Sequence, residues 1–252
     1  MEVCNKEDKL LISRAQDALR MAENRCMVKA LGFLNPRQRG LLQRELHPSM
    51  DVVMEFCGGY DQAERTLLIC RPDFLEADPG DFLCALEIQG RQLSGLSHRD
   101  YLGSLMGLGI TRENIGDILV LEGCALIFGK TEIAGYICGS LEKIGRCGVT
   151  VTCRDLQEIT VPIRERKEIK GTVASLRLDS VLALGVGISR SAAAGLLASD
   201  KVSLNWESIR DGAKPVKVGD LFSVRGFGRM ELAQVSGMTR KNRYSITLWR
   251  YV

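Results

Sequence analysis

Apolar residues recur at helical spacing from Asp8 to about Leu31, with Leu11, Ala15, Ala18, Leu19, Ala22 and Cys26 on one face. The pattern predicts a long amphipathic helix. Asn35-Pro36 interrupts it, and Pro36 can open a second helix that runs to about Glu45. His47-Pro48 ends that helix. Asp51-Val-Val-Met-Glu-Phe-Cys57 and Thr66-Leu-Leu-Ile-Cys70 then read as strands, with Gly58-Gly59 stopping the first. A turn-rich stretch from Arg71 to Asp78-Pro79-Gly80 closes a small α/β domain, residues 1–79.

The following pattern predicts a strand at Phe82–Ile88 and a helix at His98–Met106. Strands at Asp117–Leu121 and Ala125–Phe128 flank the turn Glu122-Gly123. A helix at Thr131–Lys143 and a strand at Val149–Cys153 complete the segment. The order β-α-β-β-α-β is that of the ferredoxin-like fold, shared by RNA-recognition modules, and assigns residues 80–160 to a second domain. Fold alone does not give function. The aromatic run with which such modules stack bases has only one aromatic here, in Cys124-Ala-Leu-Ile-Phe-Gly-Lys130. Base stacking on this sheet is therefore not expected.

Residues 161–171 are β-rich, mix charges of both signs and read as a solvated strand and linker rather than a docking motif. The remainder, 172–252, is predicted to hold two short helices and several strands. Leu178–Leu184 forms the first helix. Ser189 is a good N-cap for the second, which extends to about Ala198. Lys201-Val-Ser-Leu-Asn-Trp206 and Leu221–Arg225 are strands, Gly226-Phe-Gly-Arg229 is a tight basic turn, and Tyr244–Tyr251 alternates as a final strand. The whole chain is expected to be α+β.

Composition changes this picture in one respect. Apolar residues make up 45% and charged residues 26%, as in ordinary globular proteins, and the net charge is only +3. That charge is segregated. Residues 1–171 carry 22 Lys+Arg against 25 Asp+Glu, whereas residues 172–252 carry 12 against 6. The last third is a basic module on a mildly acidic body. No apolar run is long enough to span a bilayer, and the first residues lack a signal-peptide pattern, so a cytoplasmic protein without membrane contacts is expected. The nine cysteines show no CxxC spacing and the two histidines no zinc-ligand spacing. They are read as reduced, mostly buried thiols, with no metal or other cofactor.

The basic module suits a phosphate backbone. A helix N-terminus offers free N–H groups and partial positive charge, so Ser189-Arg190-Ser191 can bind phosphate. Arg177, Lys201, Arg225, Arg229, Arg240, Lys241 and Arg243 add cations to the same module. Such a face reads RNA shape rather than base sequence. Arg177-Leu-Asp-Ser-Val-Leu-Ala, Ser189-Arg-Ser-Ala-Ala, Lys201-Val-Ser-Leu-Asn205 and Val218-Gly-Asp-Leu-Phe-Ser-Val-Arg-Gly-Phe-Gly-Arg229 together resemble the S-four-type RNA-binding domain, the αL motif. The resemblance adds Asn205 to the RNA-binding residues. One departure is Asp200, where that domain usually has Gly before the strand; it is expected to alter the turn and weaken local phosphate attraction.

Upstream, Gly58-Gly-Tyr-Asp-Gln-Ala-Glu-Arg65, His98–Arg112 and Asn114-Ile-Gly-Asp-Ile118 resemble the bacterial YlmH family. The resemblance implies a non-catalytic RNA-binding factor that associates with the large ribosomal subunit and peptidyl-tRNA, through rRNA and tRNA contacts. It further implies support for ribosome-associated quality control of stalled chains, alongside other quality-control factors, by a protein acting as a monomer. A link to cell division also attaches to the family. Arg99, Tyr101 and Arg112 are secondary RNA-contact candidates, and Arg65 is either such a contact or a surface ion-pair partner. His98-Arg99-Asp100 lacks a nucleophile and reads as a helix start rather than a catalytic site. Two alternatives compete with the non-catalytic reading. One is an RNA-modifying enzyme of the pseudouridine-synthase type, whose Arg-Leu-Asp motif Arg177-Leu-Asp179 imitates; no separate catalytic domain accompanies it here. The other is a cell-division-linked adaptor.

Overall fold

In the computed structural model, residues 6–162, 166–239 and 241–251 are described. The chain divides into two compact units, Met1–Val161 and Pro162–Val252.

The first unit begins with α1 (Lys6–Arg25), β1 (Lys29–Leu34), α2 (Pro36–Glu45), β2 (Val52–Cys57) and β3 (Thr66–Pro72). The helix predicted to reach Leu31 stops six residues earlier. Cys26 adopts a left-handed φ of 50°, which ends the helix, and the chain reverses into β1. The apolar run Ala-Leu-Gly-Phe-Leu continues the helical spacing in sequence but pairs antiparallel with β3. The sheet order is β1-β3-β2. Ala15, Ala18 and Ala22 of α1 pack on Leu31, Leu34, Leu68 and Cys70. At the start of α2, Asn35 and Gln38 form a reciprocal capping box, and Pro36 occupies the first turn.

A second sheet follows, built from β4 (Leu83–Gln89), α3 (His98–Gly107), β5 (Ile115–Val120), β6 (Cys124–Lys130), α4 (Thr131–Ser140) and β9 (Thr150–Arg154). The two-residue strands β7 (Lys143–Ile144) and β8 (Cys147–Gly148) form a hairpin before β9. They take up the end of the segment expected to be helical through Lys143. The order β5-β6-β4-β9, antiparallel throughout, is the ferredoxin-like arrangement with the first and third strands central. One face carries α3 and α4 over Cys84, Leu86, Ile88, Ala125 and Ile127.

The other face of this sheet is also packed. Leu83, Ala85 and Phe128 meet Phe33 of β1 and Leu67 of β3, with Tyr60, Leu156 and Ile159 at the margin. The Tyr60 and Phe128 rings lie 4.9 Å apart. Gly59 has φ of +90°, and a Cβ there would stand 2.6 Å from the Phe128 ring, so Gly58-Gly59 is a turn that only glycine can seat against this core. The segments expected as separate domains, 1–79 and 80–160, thus have separate sheets but share a core within one unit.

The second unit comprises β10 (Arg166–Val173), α5 (Leu178–Val186), α6 (Arg190–Ala198), β11 (Val202–Leu204), β12 (Glu207–Ser208), β13 (Leu221–Val224), β14 (Gly228–Met238) and β15 (Tyr244–Tyr251). Its sheet order is β10-β15-β14-β13-β11-β12. Much of the expected linker 161–171 is therefore a strand. From Arg166 on, β10 pairs residue by residue with β15. Its charged residues project from an exposed edge strand, where they block edge-to-edge association, while Ile169 and Val173 reach the core. The chain turns by 108° between α5 and α6, with Gly187 left-handed at the α5 C-cap. Leu178, Val181, Leu182, Ala193 and Leu197 of the helix pair pack on Phe222, Met230, Leu232 and Leu248 of the sheet. Gly185 permits that contact, since a Cβ there would stand 2.7 Å from Met230 Sδ.

Among the described residues no single helix is long and apolar enough to cross a membrane, and no group of His, Cys, Asp and Glu is arranged to hold a metal ion.

Candidate nucleic-acid interface

The α5–α6 corner carries two of the candidate cations of the second unit, Arg177 and Arg190. Ser189 caps α6, its hydroxyl accepting the Ala192 N–H at 3.2 Å and lying 2.9 Å from the Ser191 hydroxyl. Directly beneath, Asp179 is 6% exposed. Its carboxylate accepts Nε and Nη2 of Arg177 at 3.3 and 3.1 Å, Nε and Nη2 of Arg190 at 3.0 and 2.8 Å, and the Ser180 hydroxyl at 3.1 Å. Burial pushes this carboxyl up, but the hydrogen bonds from Arg177, Arg190 and Ser180 outweigh it and hold the group at about 2. One buried carboxylate thus pins two guanidiniums while leaving them 41% and 56% exposed. The ion triplet retains a positive charge at a helix N-terminus, an arrangement suited to a phosphate.

Lys201 and Arg225 are exposed and adjacent, for the Arg225 N–H donates to the Lys201 carbonyl at 2.9 Å. Arg229 follows the turn at Gly226 and Gly228, both with φ near +90°, and is half-buried. Lys241 is exposed. Arg243 is exposed too, and its guanidinium donates to the Thr172 hydroxyl at 3.0 Å and the Thr172 carbonyl at 2.7 Å, tying the last hairpin to β10. Arg240 lies outside the described residues.

Asn205, an RNA-contact candidate by its motif, is half-buried and makes contacts within the fold. It sits at φ +48° in a turn, where its amide donates to Asp220 at 3.0 Å and its side-chain oxygen accepts the Leu221 N–H at 3.0 Å. Its polar atoms clamp the fold. Asp200 takes φ of +53°, the conformation that explains a preference for glycine there. Its carboxylate pairs with Arg210 and accepts the Ser208 hydroxyl, so its charge is neutralised locally.

Sequence reasoning missed Arg166, which lay in the supposed linker. Its guanidinium stands 4.7 Å from the Trp249 ring centre and 5.4 Å from that of Tyr251. Across the sheet, Tyr251 is in register with both Arg166 and Arg229. The Tyr251 hydroxyl donates to Glu231 at 2.5 Å, and burial with that bond pushes the phenol up to about 12.

The candidates in the first unit fare differently. Tyr101 is 0% exposed, packed with Leu105 on the inner face of α3, and its ring is a core group rather than a surface contact. Asp100 accepts the Ser97 N–H and hydroxyl, both at 2.7 Å, so His98-Arg99-Asp100 is the capped start of α3. Arg99 lines a shallow groove of about 640 Å³ with Gly103, Ser140 and Lys143. Among the described residues Arg65, which is half-buried, forms no ion pair. It donates to the carbonyls of Phe33, Arg112 and Ile115 at 2.7, 3.1 and 3.0 Å. Arg112 donates to Ile115 and Gly116 at 2.8 and 3.0 Å.

Comparison with known proteins places these features in context. A profile described as a putative RNA-binding domain in YlmH matches residues 80–158, and an S4 domain profile matches residues 176–222. The chain is 31% identical over 247 residues to the ribosome-associated protein quality control protein P2 of Bacillus subtilis (strain 168), covering 97% of this chain and 96% of that one. It is also similar in fold to the cell division protein ylmH from Streptococcus pneumoniae, with a TM-score of 0.54 and 23% identity, covering 64% of this chain and 99% of the other.

Proposed function

Because the chain belongs to the YlmH family, we propose that it is a non-catalytic RNA-binding factor of the large ribosomal subunit. In this reading the second unit contacts rRNA and peptidyl-tRNA, and the protein, acting as a monomer in the cytoplasm, supports ribosome-associated quality control of stalled nascent chains. The observation that carries the reading is the cationic corner of α5 and α6, in which Asp179 presents Arg177 and Arg190 beside the capped end of α6. The similarity to a quality-control protein over nearly the full chain supports the ribosomal partner. The commitment of Asp179 to five donor contacts supports a structural rather than a catalytic role for the Arg-Leu-Asp motif.

Lys201 and Arg225 provide the cleanest test, since both are exposed and neither side chain has a hydrogen-bond or ion-pair partner among the described residues. The double variant Lys201→Glu, Arg225→Glu should fold normally and lose co-sedimentation with large subunits at moderate salt. Sedimentation equal to that of the wild type across a salt series would overturn the proposal.

A further inference from the structure

Among the described residues the two most exposed large apolar side chains are Met50, at 98%, and Phe74, at 69%. They lie at the same end of the first sheet. β2 and β3 pair antiparallel as far as Val52 and Pro72, and beyond that rung the Asp73 N–H donates to the Asp51 carbonyl at 2.9 Å. Met50 and Phe74 are the next residue on each segment, so the two strands end in one apolar tip. Apolar residues scattered singly over a surface are ordinary, whereas the two most exposed at adjoining positions mark an interaction site.

Both turns are fixed from within. The Val52 N–H donates to the Ser49 carbonyl at 3.2 Å, which closes the turn under Met50. The segment from Pro72 to Leu75 wraps a guanidinium. Arg71 Nη1 donates to the carbonyls of Pro72, Asp73 and Leu75 at 3.3, 3.4 and 2.7 Å, and Nη2 donates to Glu55 at 2.7 Å. Phe74 is thus held in water by a preorganised turn, which lowers the ordering cost of burying its ring against a partner. An aromatic anchor beside an adaptable methionine suits the centre of an interface. The charge around it is mostly of one sign. Residues 48–57 and 71–81 carry six Asp or Glu and one Arg. That Arg is paired with Glu55, while Asp51, Asp73 and Glu76 are exposed without an ion-pair partner among the described residues. Arg25 and Lys29 flank the turn between α1 and β1, on the other side of β3 from Met50.

We propose that the Met50–Phe74 tip docks on a basic protein of the large ribosomal subunit, with Lys or Arg of the partner meeting Asp51, Asp73 and Glu76 around the two apolar anchors. Three carboxylates repel a phosphate backbone, so the tip faces protein rather than rRNA. Proteins that neutralise rRNA are rich in Lys and Arg, the complement this rim requires. The inference rests on the ribosomal association proposed above. It gives the acidic first unit a contact distinct from those of the basic module.

The test measures binding of the full-length protein to purified large subunits, and to rRNA extracted from them, by sedimentation across a protein titration. Met50→Ser combined with Phe74→Ser, both at exposed positions and checked for folding by the far-UV spectrum, should bind subunits about tenfold more weakly and extracted rRNA as the wild type does. Asp51→Lys combined with Asp73→Lys should also weaken subunit binding. A gain of affinity in that variant would show the tip meeting RNA and overturn the protein assignment. Wild-type affinity of both variants for subunits would overturn the docking site while leaving the proposed function intact. A dimer in sedimentation velocity that the serine variant dissolves would give the tip to a second copy of this chain and overturn the proposal. Failure of the wild type to bind subunits would overturn both proposals.

Discussion

The two larger sheets of this protein have helices on one face and differ in what happens on the other. In the first unit, the face of β4 and β6 opposite the helices is closed by Phe33, Leu67 and Tyr60. In the second unit, the face opposite α5 and α6 carries Arg166, Trp249, Tyr251 and Arg229 in exposed or half-buried positions. The sheet with the topology of an RNA-recognition module has therefore lost its stacking surface to the core. The sheet without that topology belongs to the cation-rich unit. Strand order decides which residues are neighbours, while the segments packed around a sheet decide which of them meet solvent.

The contrast can be tested most strongly at Phe128. Phe128→Ala should destabilise the first unit by about 3–5 kcal/mol, the usual cost of emptying a buried aromatic site. Urea unfolding measures that loss, and RNA affinity of the folded fraction should be unchanged. A mutant with normal stability and weakened RNA binding would show that the sheet does stack bases. An intermediate effect is expected at Asp179. Its carboxyl is held at about 2, below its ordinary unfolded value, so its stabilising contribution is complete above about pH 4 and lost as pH falls through about 2. Asp179→Asn should cost about 1–2 kcal/mol at neutral pH, discounted for the exposed arginines, and should flatten the acid limb of the stability profile. Thermal melts from pH 2 to pH 7 read both effects, and a wild-type acid limb in the variant would contradict the assigned geometry. The smallest effect belongs to Lys201→Ala. Its stability should stay within about 0.5 kcal/mol of wild type, while the slope of log affinity against log salt falls by about one.

Much of the layout was legible in local pattern. The capping box of α2, the Ser189 cap and the β-α-β-β-α-β order rest on neighbouring residues, and each stands where the sequence places it. Errors arose where a local pattern had two readings. Ala30–Leu34 continues a helical spacing, yet a left-handed Cys26 and pairing with β3 make it a strand. Residues 166–171 read as a solvated strand and linker, but not as part of the last domain, because an exposed edge strand is as polar as a loop. In the candidate site, the number of cations could be counted from sequence but their engagement could not. Arg177 and Arg190 share one carboxylate across α5 and α6, and Arg65 binds three carbonyls from separated segments.

By itself, then, the sequence determined the order of elements, the segregation of positive charge into the last third and the motifs that mark the family. These depend on composition and on contacts a few residues apart. Tertiary structure alone decided that Phe128 and Tyr101 are interior, that Asn205 is a clamp and that Arg65 and Arg112 meet at a single carbonyl. Burial and charge pairing depend on which distant segments come together, and the energy of an ion is set by those neighbours rather than by its own residue type.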